Sequence, residues 1–211
     1  MKIGIIGSGA VAQTLAAGFL VHGHEVALGT RDAGKLAEFA ARHPAARIVG
    51  MREAAAFGEL AVLAVKGSAA LQAARAAGDA LDGKPVLDAC NPIADAPPTD
   101  GVLAYFTGSD ESLMEQLQRE LPKARFVKAF NSVGAGRMID PDFAAGRPTM
   151  FIAGNDADAK AAAARLLAEV GWDAADMGTA VAARAIEPLA MLWCIPGFRE
   201  GSWMHAFKLL R

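Results

Sequence analysis

An α/β fold, with a parallel sheet covered by helices on both faces and a short helical segment at the C-terminus, is what this sequence predicts. Three observations carry the prediction. Short apolar runs alternate with helix-like stretches along most of the chain. The runs lack the polar alternation of a half-exposed strand, so both their faces are covered. The first run passes directly into a glycine turn, Gly7-Ser8-Gly9, and then a helical pattern. Strand and helix in alternation make a doubly wound parallel sheet.

The elements follow in order. Residues 3–6 are an apolar strand bounded by glycine. Val11, Leu15 and Phe19 stand four apart on one face of the first helix, and Gly23 closes it with a left-handed cap. Residues 25–28 form the next strand, and Leu36 and Phe39 mark a helix after it. Further strands are expected at 60–65, 85–88, 125–130 and 149–153. Helices are expected at 71–81, 113–121 and 157–170, with Gly171 capping the last of these. The pattern changes after Thr179. Residues 180–193 read as one apolar helix and 202–210 as another. The expected organisation is a nucleotide-binding unit over 1–179, with C-terminal helices over 180–211 that pack on it or on a dimer partner.

Composition narrows the class. The chain has 211 residues, 53% hydrophobic and 21% charged, enough for a sizeable core. A formal net charge of −2 lacks the basic excess of a nucleic-acid binder, so no nucleic-acid partner is expected. Two scattered cysteines, Cys90 and Cys194, predict a reducing compartment, the cytoplasm. The first strand begins at Lys2, so no secretory leader is expected. Arg184, Glu187, Pro188 and Pro196 interrupt the apolar stretch 181–198, so no membrane partner is expected.

The opening turn carries the chemistry. Residues 7–12 read G-x-G-x-x-A. Gly7 ends the strand in a tight turn, and Gly9 lets the backbone approach a pyrophosphate. Ala12 is small enough for close helix–strand packing. The free N–H groups at the helix start, around Ala10 and Val11, offer an anion site. This combination after a strand and before a helix is the Rossmann dinucleotide fingerprint. A site that prefers NAD places a carboxylate at the end of the second strand, but here the sequence is Leu28-Gly29-Thr30-Arg31. Thr30 offers a hydroxyl and Arg31 a guanidinium fork. Lys35 lies one helical turn from Arg31. These residues predict the 2′-phosphate of NADP(H) as ligand.

The stretch "MKIGIIGSGAVAQTLAAGFLVHGHEVALGTRD" resembles the start of NADPH-dependent reductases of the deazaflavin coenzyme F-420. "LAVKGSAA", "LDACNPI", "VKAFNSVGAG", "ARAIEPLAML" and the closing "HAFKLL" extend the resemblance over nearly the whole chain. The resemblance implies a Rossmann domain with a small C-terminal helical part, commonly a homodimer. It implies that Gly7, Ser8, Gly9, Ala10 and Val11 wrap the pyrophosphate, and that Thr30, Arg31 and Lys35 hold the 2′-phosphate. Val65 and Lys66 would border the ribose and nicotinamide, with Asn91 and Pro92 beside the ring. Asn131, Val133 and Ala135 would line the pocket for a small-molecule redox substrate. Lys66 stands where relatives often carry an apolar residue or proline. Trp193, Phe198, Trp203 and His205 are bulkier than the family pattern and stand to reshape the substrate cleft.

The remaining polar residues have blander readings. His22 and His24 are read as surface residues, and His43 as a helix-end residue. His205 is the one histidine placed in the substrate pocket. Cys90 and Cys194 are read as core, and no metal-ligand spacing occurs. Lys128 is read as a strand-end lysine paired with Asp88, the alternative being a general acid for carbonyl reduction. Arg184 and Glu187 are read as an ion pair at a dimer contact, and Gly134-Ala135-Gly136 as a flexible wall of the cleft. No obligatory acid–base residue stands out. Hydride transfer does not demand one, because positioning supplies much of its catalysis. Three functions follow. The first is an NADP(H)-dependent oxidoreductase acting on a ring-type redox partner such as a deazaflavin or flavin. The second is an NADPH-dependent imine or keto-acid reductase. The third is a non-enzymatic NADP(H)-binding redox sensor.

Overall fold

The computed structural model describes all 211 residues, and its strands join in one sheet. They are β1 (Lys2–Ile6), β2 (Glu25–Gly29), β3 (Arg47–Val49), β4 (Leu60–Leu63), β5 (Pro85–Asp88), β6 (Arg125–Lys128), β7 (Thr149–Gly154) and β8 (Asp173–Asp176). The spatial order is β3-β2-β1-β4-β5-β6-β7-β8. The first six strands are parallel, in the order of a Rossmann domain with its topological switch between β1 and β4. β7 runs antiparallel to β6, and β8 parallel to β7. The antiparallel step departs from the expected all-parallel sheet. Only loop and one short 3-10 turn separate β6 from β7, so no crossover helix returns the chain to the same end.

The helices are α1 (Ala10–Val21), α2 (Ala37–Arg42), α3 (Met51–Phe57), α4 (Gly67–Ala77), α5 (Leu113–Glu120), α6 (Ala157–Glu169), α7 (Ala183–Ile186) and α8 (Pro188–Glu200). Two cores sandwich the sheet. Ile3, Ile5 and Val62 face Leu15 and Phe19 of α1 and Leu166 of α6. Ile6, Ala61 and Leu63 face Ala70 and Ala74 of α4 and Leu117 of α5. The period-two alternation of a strand therefore distributes one apolar run between two cores. This is why the strands read as unbroken hydrophobic stretches.

Two edge strands escape the sequence reading. β3 has only three residues, and Arg47 is exposed. In β8, Asp-Ala-Ala-Asp, only Ala175 is buried, so no apolar run announces it. The C-terminal expectation also needs correction. The run 180–200 is nearly continuous: a 3-10 turn at Ala180–Ala182, then α7, then α8, which extends to Glu200. By length and composition it is the one helix that could cross a membrane. In this fold it carries the buried residues Ala183, Ile186, Glu187 and Trp193. Residues 202–210 are not helical. Gly201 ends α8 in the left-handed conformation, at φ 70°. Beyond it, the tail bonds to α8 and to the start of β7 rather than to itself. Thr149 N–H donates to the Phe207 carbonyl at 2.8 Å, and Leu209 N–H to the Thr149 hydroxyl at 3.0 Å.

Two side-chain readings change as well. His24 is buried, edge-on to the Phe19 ring and 3.0 Å from Glu169. Arg184 and Glu187 do not pair. Arg184 instead grips Glu115 at 2.7 Å, while Glu187 turns inward. Helical spacing permits a pair, but the first turn of α5 lies within reach of both side chains and separates them.

Glu115 is also the reciprocal half of a capping box with Ser112. The Arg184 guanidinium and the Ser112 N–H hold its carboxyl down at about 2, against an ordinary 4.5. A depressed carboxylate pKa contributes stability above the unfolded value and loses it as pH falls through the folded one. Urea unfolding over a pH series should therefore show stability falling from pH 4.5 toward about 2. Glu115→Gln is expected to flatten that part of the profile, and an unchanged profile refutes the assignment.

Candidate cofactor cleft

The cleft opens where β1, β2 and β4 end. Gly7 leaves β1 at φ 144°, and its N–H donates to the Gly29 carbonyl at 2.9 Å. A Cβ there would fall 2.1 Å from the Ala64 carbonyl oxygen, so the turn itself demands glycine. Gly9 is different. It precedes α1 in an extended conformation that any residue adopts, and a Cβ on it would meet no atom within 4 Å. No side chain caps α1, so its first N–H groups face the cleft with the helix dipole behind them.

Residues 30–35 form the adjoining rim. The Thr30 hydroxyl donates to the Asp32 carbonyl at 3.0 Å and accepts the Asp32 N–H at 3.1 Å. Asp32 in turn accepts the Gly34 N–H at 3.0 Å, capping the 3-10 turn Ala33–Leu36. These local bonds fix the turn and leave Arg31 and Lys35 exposed on it. Neither cation enters an ion pair. An unpaired guanidinium and ammonium at one mouth of a cleft make a site for a dianion.

The cleft holds about 540 Å³. Gly7, Ser8, Gly9, Ala10, Val11, Thr30, Arg31, Lys35, Val65 and Lys66 all line it. Sequence reasoning missed the opposite wall, formed by Met51 of α3 and by Ala69, Gln72, Ala73 and Ala76 of α4, with Ala89 at the floor. The signal was a stripe of alanines at helical spacing just after the Lys66 segment. Lys66 itself pairs with Asp95 on the loop beyond β5. Nothing in the sequence pattern marks that partner.

The other expected site residues lie outside this lining. Asn91 donates to the Asn131 carbonyl at 2.8 Å, and Asn131 donates to the Ile186 carbonyl at 2.9 Å. Pro92, Asn131 and Val133 are buried, and Ala135 begins a short 3-10 turn. His205 stacks on Trp193 with ring centroids 4.9 Å apart and shares a reciprocal pair of hydrogen bonds with it. A Cβ on Gly134 would sit 2.6 Å from the Trp193 ring, so this wall is packed tightly against α8. Cys90 is buried, and burial pushes its thiol well above the ordinary value, which removes it as a nucleophile.

Lys128 is wholly buried. It lies 2.6 Å from Asp88 and 2.8 Å from Glu187, and it donates to the Cys90 carbonyl at 2.9 Å. Burial opposes its charge, but the two carboxylates more than offset this and hold its pKa above the ordinary lysine value. It is sealed from solvent and does not line the cleft, so its ammonium is not presented to a molecule bound there.

A family described as coenzyme F420-dependent NADP oxidoreductase matches residues 2–92. A crystal structure of a candidate F420-dependent NADP-reductase from Arthrobacter sp. FB24 is 35% identical, with a TM-score of 0.93 and full coverage of both chains. A hypothetical protein, SMa0349 from Sinorhizobium meliloti, is 26% identical with a TM-score of 0.73, covering 100% of this chain and 95% of that one. A reductive aminase from Aspergillus terreus, in complex with NADPH and ethyl-5-oxohexanoate, shares the fold at 20% identity and a TM-score of 0.67. That match covers 95% of this chain and 63% of the aminase. No curated protein matches.

Proposed function

Because the chain belongs to the coenzyme F420-dependent NADP oxidoreductase family, and is thereby an NADP-dependent oxidoreductase, we propose that it passes a hydride between NADP(H) and a ring-shaped redox partner such as a deazaflavin or a flavin. The observation that carries this reading is the vacant space at Gly9, beside an uncapped helix start and two unpaired cations. The fold does not need glycine there, whereas a close-lying pyrophosphate does. We assign the pyrophosphate to residues 7–11 and the 2′-phosphate to Thr30, Arg31 and Lys35. Val65, Lys66, Asn91 and Pro92 are assigned to the nicotinamide half, and Asn131, Val133, Ala135 and His205 to the side facing the partner.

The bound nicotinamide supplies the hydride chemistry. The protein's own residues bind, orient and exclude water. The Gly7–Val11 turn anchors one end, and Ala64, Val65 and Ala89 floor the other. The locked state of Lys128 favours a ring acceptor over a carbonyl or imine that needs a proton from the enzyme. Exposed Val181, Leu192, Phe198 and Met204 on and beside the helical run 180–200 support a homodimer, in which 180–211 would pack both on 1–179 and on the second copy. Both cysteines are free, in keeping with a cytoplasmic enzyme.

The test is NADPH oxidation followed at the nicotinamide absorbance with deazaflavin, flavin, cyclic imine and keto acid in parallel. Turnover with a deazaflavin or flavin is the expected result. Turnover confined to imines or keto acids overturns the proposed acceptor class and leaves the cofactor reading standing.

A further inference from the structure

The buried ion set around Lys128 carries a charge imbalance that the acceptor argument leaves unused. Asp88, Lys128 and Glu187 form a sealed set with side chains at most 2% exposed. Every contact on the two carboxylates comes from a donor or a cation. Asp88 accepts the Cys90 N–H at 2.9 Å and stands 2.6 Å from the Lys128 ammonium. Glu187 accepts the N–H groups of Leu113 and Met114, at 2.9 and 3.0 Å, and stands 2.8 Å from the same ammonium. Two ionised carboxylates facing one ammonium leave a surplus negative charge, softened by the start of α5 at Glu187 and by the Cys90 N–H at Asp88.

The set adjoins the cleft through the end of β5. Ala89 lies between Asp88 and Cys90 in sequence and lines the cleft floor. Lys128 pins the Cys90 carbonyl on the next residue. Glu187 belongs to the junction of α7 and α8, where Asn131 bonds the Ile186 carbonyl and Tyr105 the Glu187 carbonyl at 2.8 Å. In this topology the nicotinamide half of a dinucleotide lies over the β4–β5 side of the switch. The oxidised nicotinamide ring carries a positive charge that the reduced ring lacks.

We propose that the Asp88–Lys128–Glu187 set is an electrostatic positioning device, whose surplus negative charge behind Ala89 favours the oxidised, cationic form of the bound cofactor and so strengthens NADPH as a hydride donor. The inference rests on the cofactor reading above. In low-dielectric surroundings a single buried charge acts over several ångströms with little screening. The same set ties the C-terminal helices to the cofactor floor, so the charge is held at a fixed place.

The experiment is calorimetric titration of NADP⁺ and NADPH, separately, into wild-type protein, Glu187→Gln and Asp88→Asn. In either variant the ratio of the NADP⁺ Kd to the NADPH Kd is expected to rise about three- to tenfold, as the negative charge is removed. A purely structural role weakens both ligands alike, so an unchanged ratio in a folded variant overturns the inference. The wild-type protein gives a readout independent of variant folding. It is expected to bind NADP⁺ no more weakly than NADPH, and NADPH binding tighter by about tenfold or more overturns the inference. If neither form binds wild-type protein, the cofactor reading itself falls. If both bind and the ratio is unmoved, only the present inference falls.

Discussion

Gly9→Val is expected to abolish dinucleotide binding while leaving the protein folded. The backbone at Gly9 has φ −79° and ψ 179°, an extended conformation open to a β-branched residue. The added Cβ meets no atom of the protein within 4 Å. The thermal midpoint should therefore hold, with a stability change within about 0.5 kcal/mol, as for an unpacked surface site. On the proposed reading, the same open space is the approach path of the pyrophosphate to the N–H groups of α1. Filling it is expected to weaken NADPH binding by on the order of a hundredfold or more. Gly7 marks the contrast. Its φ of 144° and the Ala64 carbonyl 2.1 Å from a would-be Cβ make that glycine a requirement of the turn. Intact binding by folded Gly9→Val protein contradicts the placement of the pyrophosphate.

Arg31→Asp is expected to shift the choice of cofactor from NADP toward NAD. Arg31 and Lys35 stand unpaired on a rim fixed by Thr30 and Asp32. In the proposed placement, losing the guanidinium removes a charge-assisted contact worth about 1.5–3 kcal/mol, and the new carboxylate repels the 2′-phosphate. That carboxylate also accepts the ribose hydroxyl of NAD, as in sites built for it. Together these should move the NADP-to-NAD ratio of kcat/KM by on the order of a hundredfold. An unmoved ratio in Arg31→Asp refutes the rim as the 2′-phosphate site.

The sequence was most legible where local backbone chemistry decides the structure. The turn after β1 needs glycine at position 7, and residues 7–11 form one wall of the cleft. The buried strands were readable because they are covered on both faces. Where tertiary contacts decide, the pattern was silent or misleading. β3 and β8 are edge strands without an apolar run. The tail 202–210 has the composition of a helix. Gly201 breaks it away, and Thr149 of β7 takes up the Phe207 carbonyl and the Leu209 N–H. Arg184 and Glu187 share a helical face by spacing, yet each finds its partner on another element. The wall of α3 and α4 is made of residues with no chemistry of their own, so only packing reveals that they face the cleft.

The assignment of this cleft is to a dinucleotide carrying an extra phosphate. It is tested most directly by titrating NADPH and NADH, side by side, into the wild-type protein in a calorimeter. The expected result is saturable binding of NADPH, tighter than NADH by on the order of a hundredfold. No heat with NADPH, or equal affinity for the two, contradicts it.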